Sequence, residues 1–308
     1  VKLLNVDPDK DYNRVVVTFV GDPDGVREAA FQATKKASLL IDMRQHKGEH
    51  PRLGATDVVP FVPISGVTMT DCVRIAHDYA REVGEKLRIP VYLYEEAATR
   101  PERRNLADIR KGEYEGLPEK LRDPNWKPDY GPSEFNPRSG ATVAGARVFL
   151  IAYNVNLDTN DQKIAQEIAL RIRESGRPMK DKDGNAVKDE LGQPRRIPGS
   201  LRAVKALGVL LKEHDLAQVS INLVNYDITP PHVAFEEVRR QAETLGVRVR
   251  GSEIVGLTPK AALLKAGSYY SDGAPLSEAE LMRTAIQNLG LSELAEFRPE
   301  EKVIEYMI

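Results

Sequence analysis

The stretch NRVVVTFVGDPDGVREAAFQATKKASLL, residues 13–40, decides how this chain is read. Its first nine residues are dense in β-branched and aromatic side chains and run into a Gly-Asp-Pro stop, which predicts a strand and its end. Asp22 then stands where a helix N-cap is wanted, and Val26, Ala29, Ala30, Ala33 and Ala37 recur at helical spacing. That narrow stripe of small side chains suits close packing on a sheet. A strand feeding a helix that covers it is the repeating unit of an αβ layer.

Upstream, residues 1–6 (VKLLNV) read as a further strand, and the sequence opens on it with no initiator Met, so an N-terminal piece is expected to be missing. Downstream, residues 58–64 predict a strand. Met69, Val73, Ala76, Ala80, Val83 and Leu87 alternate steps of four and three, the mark of a long amphipathic helix that Thr68 or Thr70 can cap. PVYLY, residues 90–94, is the next strand. The order β, β, α, β, α, β becomes a split αβ sandwich if one more helix precedes it, hence ferredoxin-like rather than doubly wound.

Residues 97–139 interrupt this rhythm with charges, prolines and the only tryptophan, Trp126; their aromatic content predicts an ordered excursion. A second αβ block follows. VFLIAYNVNL (148–157) suits a strand central to a sheet, residues 158–161 offer caps, and Ile164, Ile168 and Ile172 mark a helix ending at Gly176. The charged stretch 180–196, with turn signals at Asp183-Gly184 and Leu191-Gly192, reads as a surface hairpin. AQVSINLVNY (217–226) alternates as a strand, Thr229-Pro230-Pro231 starts a helix with Phe235, Val238, Ala242 and Leu245 inward, and residues 253–257 return as a strand. Short helices at 259–266 and 277–289 end the chain. The fold class is therefore α+β, with subdomains at residues 1–149 and 150–308.

Composition excludes several classes of function. With 44 Lys and Arg against 46 Asp and Glu, the net charge of -2 lacks the basic footprint that duplex nucleic acid or an anionic membrane requires. The single cysteine, Cys72, cannot form an internal disulfide or a multi-thiolate metal site, as a reducing cytoplasm would allow. The densest apolar runs fall far short of the ~20 residues that span a bilayer, and no signal peptide opens the chain.

Chemistry concentrates in GEHPRLGATDVVP, residues 48–60, where His50, Arg52 and Asp57 share a loop ahead of an apolar strand. A histidine can both take and give a proton near neutrality; a solvated charged loop with an incidental histidine has the same composition. His46 and His50 stand four apart, but Gly48 and Pro51 oppose a helix there and no third ligand is evident, so no metal is expected. GPSEFNPRSG, residues 131–140, combines boundary glycines, hydroxyls, an amide, an aromatic ring and Arg138, and small residues follow it. Such a run lets backbone amides approach a flat polar ligand, or serves as an ordinary linker. Gly140 and Gly145 have P-loop spacing, yet Ala146-Arg147 replaces the Lys-Ser/Thr pair, which excludes nucleoside triphosphates. His77, His214 and His232 lack a comparable polar neighbourhood.

The sequence resembles the formiminotransferase family. The matching motifs are NRVVVTFVG (13–21), LIDM (40–43), HKGEHPRLGATDVVPFVPISGVTM (46–69), PVYLYEEAA (90–98), GEYEGLPEKL (112–121), GPSEFNPRSGATVAGAR (131–147) and AQVSINLVNY (217–226). The resemblance implies two ferredoxin-like subdomains around a folate channel, a homodimer, and tetrahydrofolate as co-substrate without a metal. It implies that His50 of GEHPR is the catalytic histidine, and that Asp7 orients or polarises it. The implied folate-binding segment is Gly131, Pro132, Ser133, Glu134, Phe135, Asn136, Pro137, Arg138, Ser139 and Gly140. Three departures stand out: the family's opening strand with its VPNFSEG motif and its first helix have no counterpart, the hairpin 180–196 resembles longer bacterial members, and the cyclodeaminase part is absent.

The activity so implied is transfer of the formimino group of N-formimino-L-glutamate to tetrahydrofolate, leaving cyclisation to another enzyme. Arg14, Arg52 and Arg138 are the candidates for the substrate carboxylates, because a guanidinium binds them bidentately; surface salt bridges are the plainer role for each. A formyltransferase using 5-formyl-tetrahydrofolate, and a non-catalytic folate-binding or RNA-binding module, are the rival readings.

Overall fold

The computed structural model describes residues 1–308 except 10–12, 49, 183 and 191. The chain divides into two compact units, Val1–Val148 and Phe149–Ile308, and both mix helices with sheets in an α+β architecture.

The first unit opens with a β-ribbon, β1 (Lys2–Asp9) and β2 (Arg14–Val20), antiparallel in a register that sets Asp7 opposite Val16 and Asp9 opposite Arg14. α1 (Pro23–Leu40) follows with Asp22 as its N-cap, accepting from Gly25 N at 2.9 Å, and Pro23 in its first turn. After β3 (Val58–Phe61) comes α2 (Met69–Glu82), whose Thr68 and Asp71 form a reciprocal capping box. Its buried face is Cys72, Ile75, Ala76, Tyr79 and Ala80, centred slightly to one side of the predicted stripe, because α1 as well as the sheet packs on it. Thr34 of α1 and Tyr79 of α2 share a buried hydroxyl hydrogen bond of 2.6 Å that fixes this pairing.

β4 (Val91–Glu95) leads into the long excursion, which is ordered. It carries α3 (Leu106–Arg110) and α4 (Glu113–Lys120) and returns as β5 (Thr142–Ala146). The sheet is parallel with order β3-β5-β4. The central strand is therefore the small-residue run TVAGA, and Gly145 has a packing reason: a Cβ there would lie 2.4 Å from the Tyr94 ring. Sequence reading gives this run to ligand approach, whereas it is a fully buried strand.

In the second unit β6 (Ile151–Leu157) and α5 (Gln162–Ile172) are followed by a two-residue ladder, β7 (Arg177–Pro178) with β8 (Arg196–Ile197), at the base of the charged excursion. Of the turn signals there, Asp183 and Leu191 lie outside the described residues. β9 (Val204–Leu211), β10 (Leu216–Leu223), α6 (Pro231–Thr244) and β11 (Val249–Val255) complete an antiparallel sheet of order β11-β6-β10-β9. Every pair is antiparallel and the order of elements is βαββαβ, which is the ferredoxin-like topology. Ile151, Tyr153, Val155 and Leu157 of the central β6 are buried in the same core as Ile168 of α5 and Phe235 and Val238 of α6. β9 is absent from the sequence reading, α7 (Lys260–Tyr270) runs past the predicted 259–266, and α8 (Glu278–Leu289) falls on the predicted 277–289 with Ser277 as its N-cap. Among the described residues no helix is long and apolar enough to cross a membrane.

Candidate active site

Several contacts within the first unit hold the loop between α1 and β3. Asn13, in the left-handed region at φ 47°, donates through Nδ2 to Lys47 O at 2.6 Å, and its own carbonyl receives His46 Nε2 at 2.8 Å. Met43 N donates to Arg138 O at 2.9 Å. A backbone crossing follows at Gly54 and Gly140, where Ala55 N donates to Ser139 O and Ala141 N to Leu53 O. A Cβ on Gly54 would stand 2.3 Å from Ser139 O, and one on Gly140, at φ 66°, would stand 2.1 Å from Leu53 O. Only glycine at both positions lets the HPR loop and segment 131–140 touch here.

His50 is half-buried, and its Nε2 lies 2.8 Å from Arg14 Nη1. A guanidinium has donors only, so the imidazole accepts: His50 is neutral and its proton is on Nδ1. Burial, then the charges of Arg14 and Arg110, push its pKa below the ordinary histidine value, and Asp57 opposes them. His50 is therefore an unprotonated base at neutral pH. Asp57 in turn accepts Leu53 N at 2.9 Å and pairs with Arg110 at the end of α3. Glu49 lies outside the described residues.

Asp7 sits on the same face of the ribbon as Arg14, two residues along the ladder. It is not joined to His50 by a hydrogen bond or ion pair among the described residues. Arg52 is occupied elsewhere: it makes a two-pronged pair with Glu115 at 2.6 and 2.8 Å, reaches Glu113 at 3.1 Å, and stands over the Tyr114 ring. Arg138 closes the end of α1, donating to Ser38 O at 3.0 Å and Leu39 O at 2.6 Å. Of the three arginines, Arg14 is the one against His50.

Segment 131–140 is a loop shaped by Asn136, whose Oδ1 accepts Arg138 N and Ser139 N while its carbonyl accepts Gly140 N. Gly131, Ser133, Glu134, Pro137 and Arg138 are exposed, Pro132, Phe135 and Asn136 are half-buried, and Ser139 and Gly140 are buried at the crossing. Tyr114 links the loop to α4, donating to Pro137 O at 2.6 Å and packing on Phe135 at 5.5 Å between ring centroids. His50 and this loop are thus carried on one frame.

Residues 1–147 match the formiminotransferase domain, N-terminal subdomain, and residues 152–308 match the formiminotransferase domain. The chain is 46% identical over 270 residues to a glutamate formimidoyltransferase of Streptococcus pyogenes serotype M1, covering 88% of this chain and 83% of that protein. The chain belongs to the formiminotransferase family. A glutamate formimidoyltransferase of Thermoplasma acidophilum is 46% identical over 272 residues, 88% of this chain and 82% of that one. The formimidoyltransferase-cyclodeaminase of Rattus norvegicus is 48% identical over 99% of this chain, which spans only 54% of that protein.

Within this formiminotransferase chain the structure adds groups that the residue-by-residue reading passed over. Arg110 faces His50 electrostatically, Asn13 pins the His50 loop to the ribbon, and Glu113 and Glu115 hold Arg52. The GEYEG motif carried a signal for the last, since two carboxylates flank one aromatic there. No such pattern marked Arg110. Among the described residues no group of three or more His, Cys, Asp or Glu is arranged to hold a metal ion. His46 Nε2 donates to a carbonyl and His50 Nε2 accepts from a cation, so neither nitrogen is offered to a metal.

Proposed function

We propose that this chain is a glutamate formimidoyltransferase, moving the formimino group of N-formimino-L-glutamate to N5 of tetrahydrofolate with His50 as the proton carrier. The observation that carries the reading is a half-buried histidine held neutral by an arginine, beside the glycine-crossed loop 131–140. Further support is the likeness to the streptococcal and archaeal proteins of that name.

The secondary amine N5 attacks the formimidoyl carbon and His50 removes its proton. The tetrahedral adduct then breaks its bond to the glutamate nitrogen, which takes the same proton back from the imidazolium. One C–N bond forms, one breaks, and no electrons are exchanged with another reagent. Holding the two reactants together supplies the larger part of the rate, since well-oriented pairs reach effective molarities of ~10⁵ M or more. Proton transfer by His50 adds ~10² to 10⁴-fold. The loop 131–140 binds the folate, Asp7 polarises the site, and the enzyme works as a cytoplasmic homodimer.

The deciding experiment is a steady-state assay of the purified chain with tetrahydrofolate and N-formimino-L-glutamate, beside one with 5-formyl-tetrahydrofolate and L-glutamate. The expected result is 5-formimino-tetrahydrofolate; turnover of the formyl pair alone overturns the reading. Folinic acid should raise Tm in step with RT ln(1 + [L]/Kd), which is about 2.7 kcal/mol at a hundredfold excess over Kd. Chelators should leave the rate unchanged, and stoichiometric zinc in the purified protein, with activity lost on its removal, would move His50 from base to ligand.

A further inference from the structure

In the second unit, the face of the sheet turned away from α5 and α6 carries a polar cluster that the mechanism above does not use. Ile151, Tyr153, Val155 and Leu157 of β6 enter the core, so Asn154 and Asn156 between them point the other way. The register sets Glu253 of β11 opposite Asn154, and Gln218 of β10 opposite Asn156. Asn154 Nδ2 donates to Glu253 Oε1 at 3.0 Å, while Gln218 Nε2 donates to the same oxygen at 2.9 Å and to Asn156 Oδ1 at 2.8 Å. Asn156 Nδ2 donates onward to Glu293 Oε2 at 2.8 Å. Turning over Asn154 or Gln218 would set an amide oxygen against the carboxylate, so each amide has one orientation.

Acceptors are left in excess. The amide N–H groups point into the network, and among the described residues nothing donates to Glu253 Oε2, Asn154 Oδ1 or Gln218 Oε1. Glu293 has its cation, Arg250 at 2.7 Å, whereas among the described residues no cation pairs with Glu253. Gln218 is 2% exposed and Asn154 9%, and Glu253 is half-buried, so water reaches these oxygens poorly and an uncompensated carboxylate there is costly to keep. Resting on the transferase reading, we propose that the three oxygens receive the N–H groups of an amidine-type N–C–N edge of a substrate. Both reactants of that transfer carry one: N3–H with the 2-amino group on the pterin of tetrahydrofolate, and the formimino group on the glutamate donor. The carboxylates of either reactant are repelled, because the three oxygens only accept. Glu253 is thus a specificity-determining residue that selects the nitrogen-rich end of a ligand over its acidic end.

The test measures binding to the intact chain by calorimetry with two matched pairs of ligands. Folinic acid stands beside 4-aminobenzoyl-L-glutamate, which lacks the pterin, and N-formimino-L-glutamate beside L-glutamate, which lacks the formimino group. Glu253→Gln keeps the size of the side chain while removing its charge and one acceptor. It should weaken the whole ligand that presents the edge by ~10 to 100-fold and leave its truncated partner unchanged, and the pair that responds identifies the source. A merely structural glutamate would affect both pairs alike. Loss for neither whole ligand, equal loss for both, or equal loss for the truncated partner overturns the proposal. If the variant fails to fold, carbodiimide labelling of the wild type decides, with exposed Glu300 as the reference. Glu253 should be modified in the free chain and protected by one whole ligand but not by its truncated partner; an unmodified or unprotected Glu253 overturns the proposal. A chain whose Glu253 selects one ligand but which transfers no formimino group would overturn the transferase reading and leave the edge site standing.

Discussion

His50→Gln should lower kcat by ~10² to 10⁴-fold, the usual contribution of a positioned acid/base, while changing folate affinity by less than tenfold, about 1.4 kcal/mol. Glutamine is the informative substitution because its amide oxygen can still accept from Arg14, which keeps the loop tied to the ribbon while removing the group that ferries a proton. The residual rate reflects the two reactants still being held together. The pH profile gives a second readout. Protonated His50 cannot accept the proton from N5, and burial with Arg14 and Arg110 depresses its pKa. The acid limb of kcat/KM in the wild type should therefore lie below the ordinary histidine range, and in His50→Gln it should vanish. Paired folate titrations and steady-state kinetics over pH 5 to 8 separate the roles. Near-normal kcat in the variant would transfer the acid/base role to another group, and Asp7 would be the next residue to change.

Arg103→Met should destabilise the first unit by about 3–5 kcal/mol, the cost of removing one partner from a buried ion pair. Arg103 is fully buried and pairs with Asp129 at 2.8 Å. Its Nη2 donates to Asn125 O at 3.1 Å and Lys127 O at 2.7 Å, and the guanidinium lies over the rings of Tyr92 and Trp126. Asp129 also accepts Leu93 N of β4, so this one cluster ties the long excursion to the sheet. Methionine fills the volume but leaves the Asp129 carboxylate buried without its counter-charge. At about 2–4 °C per kcal/mol for a domain of this size, Tm should fall by roughly 6–20 °C. Adding Asp129→Asn should recover part of the loss, because the two positions share one interaction. A fall of less than about 1 kcal/mol by calorimetry, or strict additivity in the double variant, would show that the ring stacking rather than the ion pair holds the excursion.

Local signals alone were enough for much of the chain. Asp22 with Pro23, the Thr68 capping box and Asp161 ahead of α5 start helices where the residues say they should, because a cap and a 3.6-residue stripe act within one or two turns. The charge balance, the lone cysteine and the absence of long apolar runs bounded the class of function in the same way. The motifs of residues 46–69 and 131–147 pointed to the formiminotransferase family, which the comparisons bear out.

Pairing between distant segments was not legible. β5, TVAGA, is short, ends in three small residues and shows no alternation, and becomes a central strand only because β3 and β4 pair with it from either side. β9, interrupted by Gly208, reads weakly by itself and is fixed by α5, against which a Cβ at that glycine would collide with Gln166 N. The three arginines are chemically identical in the sequence, and nothing local distinguishes them. Sequence by itself determined the capped helices α1, α2, α5 and α8 and the loop that carries His50, since those depend on short-range propensity and burial pattern. Only the tertiary structure decided that Arg52 meets Glu115, Arg138 meets the end of α1 and Arg14 meets Nε2 of His50. Each of those contacts joins residues 36 to 100 positions apart, and the charge a histidine carries is set by its neighbours in space.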